Sequence, residues 1–162
     1  MKTTFSATIA AFATLGACAS IPRDAVGPWE VTGFSASKGH LSSYCSYSFS
    51  ITRPSSTEAV TCSGSFDAGS SGATNLAYVY AGACDDEAVT WTFSNAANGG
   101  GDVAEPAYLT VSWADEGSMT QVGSYTIPGD QISISLNEEP NPYDNDVAYV
   151  GPKDFEITSI GA

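Results

Sequence analysis

From Trp29 onward, apolar and polar residues alternate with a period of two. The clearest run is Cys45-Ser-Tyr47-Ser-Phe49-Ser-Ile51, in which Ser46, Ser48 and Ser50 separate the apolar side chains. Successive side chains of an extended chain point to opposite faces. The run therefore predicts a half-buried antiparallel strand with one dry and one wet face. The same alternation recurs at Ala59 to Cys62, Ala77 to Tyr80, Val89 to Phe93, Leu109 to Trp113, Val122 to Ile127, Ile132 to Leu136 and Phe155 to Ile160, and Trp29-Glu-Val31 opens the set. Thr, Val, Ile and aromatics fill these runs, and Gly, Pro, Asn and Asp separate them.

No segment beyond Trp29 carries a helical apolar stripe with caps. The expectation is an all-β fold, a compact antiparallel β-barrel or β-sandwich of about eight to ten short strands. Ser63 to Asn75, Ser94 to Glu105 and Asn137 to Asp146 read as loops, the second with Gly99-Gly100-Gly101 and the third with Pro140 and Pro142. There is no internal repeat, and no stretch has the composition of a domain linker.

The N-terminus reads differently. Lys2 is followed by an uncharged stretch, Phe5 to Ala17, rich in Ala, Phe, Ile and Leu, and then by Ala17-Cys18-Ala19. A positive start, an apolar middle and small residues at the cleavage positions are the parts of a secretory signal peptide. Residues 1–19 are expected to be removed, leaving 20–162 as a single secreted β domain. A transmembrane reading fails because Thr, Ser, Gly and Ala dilute the uncharged stretch and its strongly apolar part is short. Leu15-Gly16-Ala17-Cys18 also fits a bacterial lipobox, in which Cys18 would be lipidated.

Composition then narrows the partners. The chain has a net charge of −13, and cleavage after Ala19 also removes Lys2. Arg23, Lys38, Arg53 and Lys153 then face 18 Asp and Glu, a balance of −14. Such a surface repels phosphate backbones and anionic lipid heads, so neither nucleic acid nor membrane is an expected partner once the signal is gone. Cys45, Cys62 and Cys84 remain, and in an oxidising compartment two should pair and one be left over. Three pairings are open. No Asn-X-Ser/Thr sequence is present, so N-glycosylation is not expected.

The chain is poor in catalytic sets. His40 is the single His, and no Ser sits in a nucleophile elbow. A Cys₃His zinc site is disfavoured because Cys45, Cys62 and Cys84 are widely spaced, without a knuckle. Paired carboxylates could serve a glycosidase. Asp85-Asp86-Glu87, Asp115-Glu116 and Glu138-Glu139, however, fall at strand ends or in loops, and Glu30 and Glu156 fall on the wet faces of strands. Asp144-Asn145-Asp146 has calcium-type ligands but lacks the Gly and closing Glu of an EF-hand. Gly99 to Gly101 is followed by Asp102 and Glu105, which would repel phosphate. No cofactor is expected.

The order Trp29-X-Val31-X-X-Phe34, Cys45-X-Tyr47-X-Phe49-X-Ile51, Thr61-Cys62, then Cys84 and Val89-X-Trp91-X-Phe93, closing with Tyr149-Val150-Gly151-Pro152-X-X-Phe155, resembles small fungal secreted proteins. These are the relatives of the Alternaria major allergen and related hypersensitive-response elicitors. The resemblance spans most of residues 20–162. It implies a compact β-barrel or sandwich, export to the extracellular space (the apoplast, for a plant-associated fungus) and a non-enzymatic role as effector, elicitor or allergen. It also implies a Cys62–Cys84 disulfide. Relatives carry a further cysteine near the position of Gly39-His40. This chain has none, which leaves Cys45 as a free or intermolecular thiol. The family supplies no catalytic residues to carry over.

The leading expectation is a secreted, non-enzymatic protein that binds a host or microbial extracellular protein or glycan, with homodimerisation as an option. The alternatives are a carboxylate-dependent hydrolase of wall polysaccharide, with Trp91 or Trp113 lining its cleft, and a structural cell-surface protein. Mass spectrometry of the exported protein is expected to find Ser20 at the N-terminus. A chain beginning at a lipidated Cys18 would overturn the signal-peptide reading and the fungal resemblance together.

Overall fold

The structure is a computed structural model and describes residues 27–39, 41–69, 75–95, 105–114, 119–135 and 145–161. The export segment, His40, Gly99 to Gly101, Asp115, Glu116, Glu138, Glu139 and Asp144 lie outside the described residues. Among those described are eleven strands: β1 (Trp29–Lys38), β2 (Tyr44–Thr52), β3 (Val60–Asp67), β4 (Val79–Ala83), β5 (Val89–Asn95), β6 (Ala107–Trp113), β7 (Gln121–Ile127), β8 (Ile132–Ser135), β9 (Asp146–Tyr149), β10 (Phe155–Ile157) and β11 (Ser159–Gly161). They form two antiparallel sheets packed as a sandwich, not a closed barrel. One has the order β3-β2-β1-β9-β8, with β10 also paired to β1. The other has the order β11-β7-β6-β5-β4.

Strand β2 follows the sequence pattern without a break: Cys45, Tyr47, Phe49 and Ile51 are buried, and the residues between them face out. Strand β1 runs seven residues beyond Val31, and the reason is a change of parity. Trp29 and Val31 face inward, then Phe34, Ala36 and Lys38 do. The switch is a β-bulge between Thr32 and Ser35. Gly33 takes φ +65° there, a conformation that costs a residue without Cβ little. The backbone groups freed by the bulge are satisfied across the sheet: the Gly33 N–H donates to Asp154 Oδ1 (2.9 Å) and the Phe34 N–H to the Lys153 carbonyl (2.8 Å). The bulge also divides one edge of β1 between two partners, β10 before it and β9 after it.

Three loop assignments need correction. Ser63 to Asp67 belongs to β3, paired with β2 from Tyr44↔Asp67 to Ser48↔Ser63. Ser-Gly-Ser has the composition of a turn, but Phe66 anchors the segment against Tyr47 and Trp91, at 6.0 and 5.7 Å between ring centroids. Ser94 and Asn95 continue β5 opposite Tyr108 and Ala107. Asp146 opens β9, a strand whose residues pair with both β8 and β1. The run Phe155 to Ile160 is likewise two strands. Strand β10 pairs with β1 in one sheet and β11 with β7 in the other, so the chain crosses between sheets at Thr158.

The inward faces supply one continuous core containing all three Trp, with Trp29 edge-on to Trp113 at 5.8 Å. Trp91 of β5 projects into the other sheet's aromatics, 5.5 Å from both Tyr47 and Phe49. Its ring lies on Gly82, its cross-strand partner, and its Nε1–H donates to the Ala83 carbonyl (3.2 Å). Beside it the two sheet edges are joined. Cys62 of β3 and Cys84, the residue after β4, form a disulfide and a lone antiparallel bridge. Asp85 N–H donates to the Thr61 carbonyl, and Thr61 N–H donates to Asp85 Oδ1, at 2.9 and 2.8 Å. Closing the loop between these cysteines stabilises the fold by about 3 kcal/mol in a chain-entropy account.

A Cβ on Gly82 would lie 2.1 Å from the Trp91 ring, whereas one on Gly161 meets nothing within 4 Å. Gly82→Ala is therefore expected to lower unfolding stability by about 1–3 kcal/mol and Gly161→Ala to change it by less than about 0.5 kcal/mol, as urea titrations followed by Trp fluorescence will show. Equal effects at the two sites would refute this account of the Trp91 seat.

Candidate functional site

Among the described residues, the side chains suggested by sequence for catalysis or metal binding do not converge. Asp85 is occupied with the Thr61 backbone, and Asp86 Oδ1 accepts from the Ala88 N–H (2.9 Å), a local turn. Glu30 and Glu156 are cross-strand partners, but both are exposed on an open sheet face. Of the acidic loop, Asn145 is buried and Asp146 exposed. Among the described residues no group of three or more His, Cys, Asp or Glu could hold a metal ion. Trp91 and Trp113 are 1% and 4% exposed and line no surface. Trp113 instead carries the Arg53 guanidinium 4.5 Å above its ring.

Cys45 is a free thiol, fully buried, and its sulfur accepts the Ala77 N–H at 3.1 Å. The Ala77 carbonyl in turn accepts the Tyr47 hydroxyl. Burial pushes the thiol pKa up. The hydrogen bond from Ala77 and the charge of Lys38 oppose that shift without cancelling it. Lys38, Cys45's cross-strand partner, is itself buried, which the sequence did not signal. A thiol held this deep has no surface from which to reach a second chain.

The feature that stands out is the outer face of the five-stranded sheet. None of the residues of β4, β5, β6, β7 and β11 is charged. Every charged residue within a strand (Glu30, Lys38, Asp67, Asp146 and Glu156) belongs to the other sheet. The uncharged face presents Thr90, Thr92 and Ser94 from β5, Tyr108, Thr110 and Ser112 from β6, and Val122, Ser124 and Thr126 from β7. Thr110 and Ser124 share a hydrogen bond of 2.9 Å.

Tyr80 of β4 and Tyr78, the residue just before it, complete the face. They flank buried Val79, and their rings touch at 4.3 Å between centroids. Tyr80 is 81% exposed, Tyr78 43% and Tyr108 40%. With Val122, these residues gather four of the chain's exposed large apolar side chains on one surface; Leu41, Tyr44, Met119, Ile134 and Val150 are the others among the described residues. The sequence carries a signal for this face. In β2 the wet positions from Ser46 to Ser50 hold Ser, with Tyr44 at the start of the strand, whereas around β4 two adjacent wet positions hold Tyr. Aromatic area left open at wet positions is surface available for contact with something else.

No protein-family model matches the chain, and no curated protein and no solved structure does either. Among the described residues no helix is long and apolar enough to cross a membrane. The disulfide is of a kind that persists in an oxidising compartment.

The buried acids set an alkaline limit to the fold. Burial raises Cys45 above its ordinary 9.0, raises Tyr47 above 10.0 and raises Tyr149, whose hydroxyl donates to the Pro152 carbonyl, from 10.0 to about 12. The unfolded chain releases these protons at the ordinary values while the folded chain holds them. Stability is therefore full below about pH 9 and falls as pH rises past it. Urea midpoints measured from neutral to about pH 11 are expected to drop, and Tyr47→Phe should flatten the fall above about pH 10. A midpoint independent of pH over that range would contradict the buried titrating groups.

Proposed function

We propose that the protein is an exported, non-enzymatic binding protein that engages a host or microbial extracellular target through the outer face of its five-stranded sheet. The observation that carries this reading is the uncharged surface bearing Tyr78, Tyr80 and Tyr108 on a chain of net charge −13. An acidic protein kept soluble by its charge has no structural need for exposed Tyr, and an uncharged patch is the part of such a surface that desolvates at least cost. This is also the role implied by the sequence resemblance to fungal allergens and elicitors, and the Cys62–Cys84 bond suits the extracellular space.

The hydrolase alternative has weaker support. It needs paired carboxylates beside aromatic walls, but Glu30 and Glu156 stand on an open face and all three Trp are in the core. The expected outcome is that immobilised wild-type protein captures a target from host or microbial extracellular fluid, and that Y78A/Y80A/Y108A, folded by circular dichroism, does not. Undiminished capture by the triple variant would remove the Tyr face from function. Glycan cleavage by the wild type would replace the binding reading with the hydrolase.

A further inference from the structure

The register of the five-stranded sheet places two of its exposed tyrosines, Tyr78 and Tyr108, in a line across the strands. Val79 pairs with Phe93, so Tyr78, one residue earlier, is level with Ser94. Ser94 pairs with Tyr108, and Tyr108 with Thr126. Reading from β4 to β7, the row is Tyr78, Ser94, Tyr108, Thr126. The next row is Thr92, Thr110 and Ser124; Tyr80 follows Val79 where the β4–β5 register shifts, with its ring against Tyr78. Adjacent strands lie about 4.8 Å apart, so Tyr78 and Tyr108 are separated by about 10 Å along a line perpendicular to the strands. Tyr80 lies against Tyr78 and restricts its ring. The surface between the tyrosines carries only hydroxyls.

We infer that this face binds a neutral, extended polysaccharide laid across the strands, with Tyr78 and Tyr108 each under a sugar ring. The inference rests on the reading of the Tyr face as the binding surface and names the class of ligand. Its grounds are chemical and electrostatic. A sugar ring has an apolar C–H face and a rim of hydroxyls. The first suits an aromatic ring, and the second suits Ser and Thr, which both donate and accept. A purely apolar ligand would strip water from Ser94, Thr110, Ser124 and Thr126 and return no hydrogen bond. An acidic glycan would be repelled by the chain's net charge of −13, and a cationic partner would be drawn instead to the charged sheet. The 10 Å interval between the two rings matches about two sugar units of an extended chain, so both can be engaged by one strand of ligand. Ring contacts that share a rigid sheet also need little ordering on binding.

The test is co-sedimentation of the purified protein with insoluble cellulose, chitin and β-1,3-glucan, and retardation in gels containing polygalacturonate as the acidic control. Retention is expected on at least one neutral polysaccharide, with little dependence on salt, and none on polygalacturonate. Y78A and Y108A are each expected to weaken retention by about tenfold. T126E, which places a carboxylate in the same row at an exposed position, should weaken it too, and its fold does not depend on a Tyr. Failure to bind any of the neutral polysaccharides, retention that all three variants leave intact, or preference for polygalacturonate would each overturn the inference. If the wild type binds no polysaccharide but captures a protein that Y78A/Y80A/Y108A loses, the binding face stands and the glycan assignment falls.

Discussion

The indole of Trp91 leaves its own sheet and enters a group of rings belonging to the other, with Tyr47 and Phe49 at 5.5 Å and Phe66 at 5.7 Å. Its seat exists because Gly82, directly across from it on β4, has no side chain. Among the described residues no α-helix covers either sheet, so water is excluded only where the two inner faces meet. Removing a buried Trp costs about 3–5 kcal/mol in typical cores. Here the loss would reach further, because Phe66, one of the same rings, belongs to β3 and pairs there with Cys45 of β2. The disulfide stands beside this cluster and fixes the edge that Trp91 packs against.

The two outer faces of the sandwich have diverged in chemistry while sharing one core. The six-stranded sheet carries the in-strand charges and rows of Ser and Thr, including Ser65, Ser46 and Ser37 side by side on β3, β2 and β1. The five-stranded sheet carries hydroxyls and tyrosines and no charge. Within the strands, the charged residues thus lie on one side of the molecule and the uncharged, tyrosine-bearing surface on the other. A net charge of −13, much of it carried in loops of both sheets, disfavours the approach of anions to either face.

Much of this was legible in the sequence because a period of two is an unambiguous signal when one face is buried. Cys45 to Ile51, Val89 to Phe93 and Leu109 to Trp113 needed nothing but alternation. In strand β1 Gly33 shifts the inward set from odd to even positions, which local periodicity interprets as an end. Strand β9 was hidden for another reason. Asp146 to Tyr149 is short, follows an acidic Pro-rich stretch, and becomes a strand only through partners on both sides. The candidate face was half visible, since Tyr78 and Tyr80 alternate with Val79. The alignment of Tyr78 with Tyr108 depends on the pairing of β4, β5 and β6, which no single segment encodes. Lys38 at an inward position is likewise a product of the bulge.

The bond between Cys62 and Cys84 has a topological effect separate from stability. It links the last strand of one sheet's hairpins to the first strand of the other, and every residue from Ser63 to Ala83 lies inside the loop it closes. A peptide bond cut anywhere in that interval leaves the protein a single covalent object, with β3 and β4 still anchored to their neighbours. In fluid rich in proteases, the first of the chain's three passages between the sheets is thereby a segment where a nick separates nothing.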